Sequence, residues 1–532
     1  MKNYESINKL ITETKIYNEK SLIELSEYNG VKLWWLVEYM FYQLVQAIID
    51  NNISSSNDKL YMFKYSSFRC LVRDIKILIS KVLCYLFAQP SKKIPGTYTL
   101  LYTSEDLMWT TKVNDSIFFN NILLNLQSRI KVNLKSFYPL VLNLKGLKIG
   151  IQKLRNSRNQ FKLFHYYCSR SICSKENETR KYYRALWKKI NGNFDSVTKK
   201  IDGMGINSSI ILKELEYYFC ELFPYAIRSI ETAKNMLHIE EVDLLLLSKE
   251  TSLFERTLII ASKCLNIPTI AVQHGVNGIN DPFYILSNKE ANIVLPNKTC
   301  VFGHFDFNYL TKYSIYESNQ VVITGSPKDD SLLKLKQDFS REEYLRKYGI
   351  SSNNKIILWT TQSHSLSYDE NRINCITLFN CIKKLNNVKL IIKQHPQESK
   401  QHKKMILDLL NICSLNAILS LINTDINELI LGCDVLITKS STTAMTAVVA
   451  QKPVLIMNFD EKPDETDYVK NGIALGVYNR ENLQATLIRL LQDDSELAVN
   501  RAKYINHYLY RIDGKASIRI AEEMIRLLGG GE

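Results

Sequence analysis

Glycine and proline are scarce in this chain, 19 and 11 of 532 residues, which argues against long flexible linkers. The 11 cysteines are scattered and odd in number, and none stands in a Cys-x-x-Cys pair. Cys168 and Cys173, the closest pair of the basic middle region, have no matching second pair. Neither a zinc site nor a disulfide framework is expected, and a reducing cytoplasm fits best. No Asp-x-Asp occurs, so the compact carboxylate pair that suits magnesium at a strand end is missing. The opening MKNYESINKL lacks the apolar run of a signal peptide. The most apolar stretch, LWWLVEYMFYQLVQAII, carries Glu38 in its middle. It is too short to span a bilayer and reads as a buried amphipathic helix.

What is present is an ordinary folded composition, 45% hydrophobic and 23% charged. A single core stops growing well below this length, so two or more domains are expected. The formal charge is +14 and the pI about 9.0. That balance favours anionic partners, unless the lysines only solvate the surface. No basic-aromatic or helix-turn-helix signature accompanies the charge, so nucleic acid is not expected as a partner.

Residues 1–95 show apolar positions at helical spacing and read as a helical extension. From TYTLLYTSED onward, strand-like and helical runs alternate. VDLLLLSKE, SLFERTLIIASKCLN and IPTIAVQHG form a strand–helix–strand unit. Its continuously apolar strands suit a parallel sheet covered on both faces. A second series starts at KIILWTTQSH and continues through VKLIIKQHP, DVLITKSS and PVLIMNF. The expected fold is α/β: two Rossmann-like parallel-sheet domains facing a cleft. The boundaries are 1–95 for the extension, 96–335 and 345–510 for the two domains, and 511–532 for a C-terminal helix.

Ligands of open parallel sheets bind beyond the carboxyl ends of the strands. In the first domain those ends carry Glu250, His274-Gly275 and the TGSP of Gly325 and Ser326. In the second they carry Thr361 and His364, then Lys393 and His395, then Lys439, Ser440, Ser441, Thr442 and Thr443. The hydroxyl run before an apolar helix suits a phosphate, with Lys439 as an added charge; Ser and Thr are also common plain helix caps. Lys393 and His395 lie two apart on one strand and point the same way; a histidine there can also be a mere polar strand cap. Gly275 lets the chain turn sharply after its strand. That thrusts His274 into the cleft as a general base or a holder of a substrate oxygen. The alternative for His274 is packing at a domain boundary. Glu250 ends its strand and is a second candidate base. Glu255, in the following helix, is equally suited to pairing with a neighbour.

The set QHG…TGSP…HP…SSTT…QKPV resembles bacterial surface-polysaccharide transferases of the GT-B fold. These include capsule Kdo transferases, HP-motif sialyltransferases and CDP-glycerol glycerophosphotransferases. VVITGSPKDD with DVLIT.SSTTAMTAVV.QKPVL is also similar to the non-hydrolysing UDP-N-acetylglucosamine 2-epimerases. The likeness covers about residues 240 to 480. It implies that the first domain holds the acceptor, with His274 beside it, and that the second holds the donor. His395 would contact the donor phosphate or leaving nucleotide, and Ser440, Ser441 and Thr442 would bind phosphate. Many UDP-sugar members carry a ribose-holding glutamate in the next helix; here Thr446-Ala447 stands there, which shifts the expectation toward a CMP- or CDP-linked donor.

The resemblance implies a glycosyltransferase that moves a sugar or polyol-phosphate from a nucleotide-activated donor to a cell-surface polysaccharide or lipid-linked acceptor. It is expected to need no metal and no cofactor. It is expected in the cytoplasm, peripheral to the inner leaflet. The rival readings are an epimerase and an inactive GT-B scaffold in polysaccharide assembly.

Overall fold

Short, wholly apolar strands dictate the architecture. Runs such as Leu244–Leu247 and Val454–Met457 are buried at every position, so both of their faces must be covered. The computed structural model describes residues 2–49, 67–88, 95–103, 119–140, 142–156, 161–273, 284, 286, 288–362, 366–395, 398–420, 424–460, 463–464 and 466–529.

The N-terminal extension is not wholly helical. β1 (Lys15–Tyr17) pairs with β2 (Lys20–Ser21), and β3 (Glu27–Tyr28) with β4 (Val31–Lys32), in two antiparallel hairpins. Asn29 and Gly30 both take positive φ, 49° and 79°, the Asn-Gly signature of a tight hairpin turn. Around the hairpins lie the helices Lys2–Glu13, Trp34–Ile49 and Ser67–Phe87. Trp34–Ile49 is buried along most of its length, Glu38 included. The Asn8 amide donates to that carboxylate at 3.3 Å. No described helix is long and apolar enough to cross a membrane.

The first large sheet contains β5 (Tyr98–Thr103), β6 (Val132–Tyr138), β7 (Phe161–Leu163), β8 (Leu244–Leu247), β9 (Thr269–Val272), β10 (Lys298–Val301) and β11 (Val321–Ile323), in the spatial order 11-10-9-8-5-6-7. The second contains β12 (Lys355–Thr360), β13 (Val388–Lys393), β14 (Ile418–Ser420), β15 (Val435–Thr438), β16 (Val454–Met457) and β17 (Leu475–Val477), in the order 14-13-12-15-16-17. Every pairing in both sheets is parallel. Winding reverses between β5 and β8, and again between β12 and β15. These are the topological switch points where doubly wound sheets bind ligands.

The cores follow the period-2 pleat. Ile356, Leu358, Leu436 and Ile456 join one cluster, while Ile357, Trp359, Ile437 and Leu455 join the cluster on the opposite face. In the first sheet, Leu245 and Leu247 join the core cluster that also takes in the N-terminal extension. Leu244 and Leu246 face the last helix of the chain, Ala516–Leu528, through Ile520, Ala521 and Met524. The chain therefore returns from the second domain to pack on the first. At the crossing, Tyr510 N–H donates to the Phe302 carbonyl at 2.9 Å. A Cβ on Gly303 would lie 2.0 Å from the Tyr508 oxygen, so only glycine permits this approach.

Candidate phosphate shelf at the second switch point

Three strand ends converge where the second sheet reverses. β12 runs into Thr361 and Gln362, β13 ends on Lys393 ahead of Gln394 and His395, and β15 runs into Lys439 through Thr443. Gln362 ties β12 to β15. Its Oε1 accepts from Thr438 Oγ1 at 3.0 Å, Lys439 N–H at 3.0 Å and Ser440 N–H at 2.7 Å. Its Nε2 donates to Ser440 Oγ at 3.0 Å. Thr361 ties β12 to β13: its N–H donates to the Lys393 carbonyl at 3.1 Å, and its Oγ1 accepts from His395 N–H at 3.1 Å. The same hydroxyl donates to Glu398 at 3.1 Å. Strand ends locked in this way hold their polar groups without reorganisation, the condition for electrostatic stabilisation of a phosphate.

The hydroxyl run divides its labour. Ser441 Oγ accepts from Thr443 N–H at 3.2 Å, so Ser441 supplies the turn bond before the helix Thr443–Val449. Thr443 Oγ1 lies 3.2 Å from Thr360 Oγ1. Thr442 is exposed and makes no side-chain cap.

The two lysines differ. Lys393 is 8% exposed. Burial pushes its ammonium down to about 8, with Asp425 pulling the other way. The sequence expectation for Lys439 is an added charge beside a phosphate. Instead it pairs with Asp460 at 2.7 Å, with side chains 12% and 3% exposed, so its charge is largely cancelled within the protein. Asp460 opens the acidic stretch DEKPDETDY. Asp464 of that stretch accepts from Asn458 at 3.0 Å and from Tyr478.

At the first sheet, Glu250 follows β8 but turns inward. It is 2% exposed, and its Oε1 accepts from Thr299 Oγ1 at 3.1 Å and Tyr316 O–H at 3.3 Å. Burial pushes its carboxyl up to about 7, against these hydrogen bonds. A carboxyl enclosed in this way braces β8 against β10; it is not presented to a substrate, contrary to the sequence expectation of a base. Glu255 accepts from Ser252 at the start of its own helix.

Gly325 and Ser326 were expected along the cleft and are instead buried under the returning chain. Gly325 has φ +84°, and a Cβ there would lie 2.9 Å from the Tyr510 oxygen. Arg519 Nε donates to the Thr324 carbonyl at 2.7 Å. Asp330 accepts from Ala516 and Ser517 N–H at 3.1 and 2.7 Å, capping the last helix. The TGSPKDD motif is thus a clamp for the C-terminal helix.

His274, Gly275 and His364 lie outside the described residues. Gln273, immediately before them, is buried. It donates to Asp306 at 3.0 Å and accepts from Phe302 N–H at 2.8 Å. Gln273 thereby fixes the end of β9 beside the domain crossing. Sequence reasoning passed over Gln362, Gln273 and Asp460. The only signal for them was position, a polar residue one or two places beyond a buried strand.

Residues 298–526 match the family model described as CDP-Glycerol:Poly(glycerophosphate) glycerophosphotransferase. The match takes in β10, β11, the whole second sheet and most of the C-terminal helix. No curated protein matches the chain. Among solved structures it is similar to the UDP-GlcNAc 2-epimerase from Neisseria meningitidis bound to UDP-GlcNAc, at 16% identity and TM-score 0.50, over 81% of this chain and 100% of that one. A putative UDP-N-acetylglucosamine 2-epimerase from Listeria monocytogenes aligns at 12% identity and TM-score 0.50, over 82% and 98%. The wall teichoic acid polymerase TagF aligns at 12% identity and TM-score 0.48, over 87% and 97%. At these identities the two likenesses at TM-score 0.50 establish the fold alone, which is GT-B-like.

Proposed function

We propose that the chain is a GT-B transferase that moves a polyol-phosphate or sugar from a nucleotide-activated donor to a cell-surface polysaccharide or lipid-linked acceptor. The observation that carries this reading is the shelf at the β12–β15 switch point: a hydroxyl loop clamped by Gln362 at the end of β12, with the buried Lys393 at the end of β13 on the other side of β12. The family match spans the same residues and favours a CDP-linked polyol over a UDP-sugar. Thr446 and Ala447, in place of a ribose-holding glutamate, point the same way.

In this reading the donor phosphates rest on Ser440, Ser441 and Thr442, with Lys393 and His395 balancing the charge that develops on the leaving nucleotide. An acceptor hydroxyl attacks the phosphorus that bears the polyol. The new P–O bond forms as the P–O bond to the nucleotide breaks, CMP departs, and His274 takes the hydroxyl proton. Protein charge does the work of a metal, so none is required. The net charge of +14 suits an anionic inner leaflet, where a lipid-linked acceptor would be met.

The test is nucleotide release. With CDP-glycerol and acceptor, the chain should release CMP. The His274→Ala variant should lose release and still bind the nucleotide. Interconversion of free UDP-sugars without nucleotide release would identify an epimerase instead.

A further inference from the structure

Two thiols meet at the start of the helix Arg170–Ile190. Ser169 is the N-cap of that helix, and its hydroxyl accepts from Ile172 N–H at 3.3 Å. Cys168 therefore stands one place before the cap, and Cys173 stands at the fourth helical position. Apolar side chains in these two places commonly pack together and fix the angle at which a chain enters its helix. Here both are cysteines, and their sulfurs lie 3.6 Å apart. Both thiols are free. The backbone of each is pinned: Cys168 N–H donates to the His165 carbonyl, and Cys173 N–H to the Ser169 carbonyl, each at 3.2 Å. A disulfide holds its sulfurs about 2 Å apart, so rotation about the side-chain bonds has only the remaining gap to close.

The surroundings give the two sulfurs different tasks. Cys168 is 2% exposed and packs with Ile77 and Ile172. Burial pushes its thiol up to about 11, and the neighbouring Cys173 acts in the same direction, so it holds its proton at neutral pH. Cys173 is partly exposed and is the sulfur that a solute can reach. Packing alone would be served by any apolar pair; two sulfurs in contact add a route to oxidation. One turn further along the helix, Glu176 receives Arg180 at 2.6 Å, Arg228 at 2.9 Å and Arg73 at 3.3 Å. The pair thus sits beside an ion cluster that joins this helix to Ser67–Phe87 and to Phe223–Ile239.

We propose that Cys168 and Cys173 form a redox modification site, which hydrogen peroxide closes to an intramolecular disulfide. The Cys173 sulfur, as thiolate, attacks one peroxide oxygen. An S–O bond forms, the O–O bond breaks, and the departing hydroxide leaves as water with the proton that Cys173 gave up. The Cys168 sulfur then attacks the Cys173 sulfur. The S–S bond forms, the S–O bond breaks, and the second hydroxide leaves as water with the Cys168 proton. One peroxide is reduced to two waters while the two thiols are oxidised. A disulfide in a reducing compartment is of the transient, sensing kind, and a dithiol reopens it by exchange. The bond would fix the first turn of Arg170–Ile190. It uses nothing of the donor shelf, so the site stands apart from the transferase reading.

The test treats the full, reduced chain with rising hydrogen peroxide. Remaining thiols are then alkylated, and fragments are mapped by mass spectrometry after cleavage outside positions 168–173. The fragment that holds both cysteines should lose two hydrogen masses and regain them on treatment with dithiothreitol. Cys264, exposed at the end of the helix Leu253–Cys264, is the internal control: it should still be alkylated when the pair has closed. Cys173→Ser should abolish the disulfide. Cys168→Ala should leave Cys173 as a sulfenic acid that a 1,3-diketone traps. Cys173→Ser lies at a partly exposed position, so it decides the matter even where Cys168→Ala fails to fold. Peroxide is raised until Cys264 reacts. Oxidation of Cys264 while Cys168 and Cys173 both stay reduced overturns the proposal, and so does a disulfide from either of them to any other cysteine.

Discussion

Gln362 and Ser440 face each other across the point where the second sheet reverses, joined by two hydrogen bonds of 2.7 and 3.0 Å. The carboxamide is both acceptor and donor, so no other side chain of its length reproduces the pair. Gln362→Leu strands the donors of Thr438, Lys439 and Ser440. It should cost roughly 1–3 kcal/mol of stability and weaken nucleotide binding at least as severely. Urea unfolding read beside calorimetric titration with CDP checks both. Unchanged affinity in a folded Gln362→Leu chain would move the donor site elsewhere.

Lys393 gives a pH dependence with a definite sign. Its ammonium is held down to about 8 by burial, below the ordinary lysine value. Above pH 8 the folded chain loses this proton before the unfolded chain does. Stability of the free protein should therefore rise through the interval from about 8 to the ordinary value. Nucleotide affinity should move the opposite way, falling above pH 8 as the cation is lost. Lys393→Arg should flatten both trends, because arginine stays charged. Affinity that is constant from pH 7 to 9.5 in wild type would remove Lys393 from the donor site.

Lys439 and Asp460 form a pair that should be read as one unit. Either Lys439→Met or Asp460→Asn removes this 2.7 Å pair from a buried charge, at about 3 kcal/mol. The Lys439→Met/Asp460→Leu double variant should lose much less than the sum. A double-mutant cycle from chemical unfolding measures this. Additive losses would mean that the pair is not coupled.

At the domain crossing, Asp330→Ala removes the cap of the last helix and should cost about 1 kcal/mol. Gly325→Ala should cost more, since a positive φ and the Tyr510 carbonyl oppose a Cβ together. Both should speed proteolysis ahead of the helix Ala516–Leu528. Protection equal to wild type in both would refute the clamp role of TGSPKDD.

The sequence made some parts of this fold readable and hid others. β8, β9, β15 and β16 are legible because every side chain in them is apolar or small and buried on both faces. β6 and β7 are disguised by Lys135 and Lys162. Glu240 buries both charges, at 2.9 and 2.6 Å, a pairing across long stretches of sequence that no local pattern reveals. The hairpin at Asn29-Gly30 did carry a local signal, masked by the helical periodicity around it. In the site, position alone singled out Lys393 and the hydroxyl loop, because they follow buried strands. The tasks of Gln362, Asp460 and Asp330 were not legible. Each depends on a partner brought close only by the sheet or by the returning helix.

In the proposed function, the shelf at the β12–β15 switch point binds a cytidine nucleotide with protein charge alone. The most direct measurement is a thermal-shift panel of CMP, CDP, UDP and GDP in excess EDTA, run on wild type and on the Ser441→Ala/Thr442→Ala double variant. A ligand that binds only the native state must raise the midpoint. CMP or CDP should raise the wild-type midpoint in EDTA, UDP and GDP should do so less, and the double variant should lose most of the effect. A shift that needs added magnesium or manganese, or one that survives intact in the double variant, would contradict it.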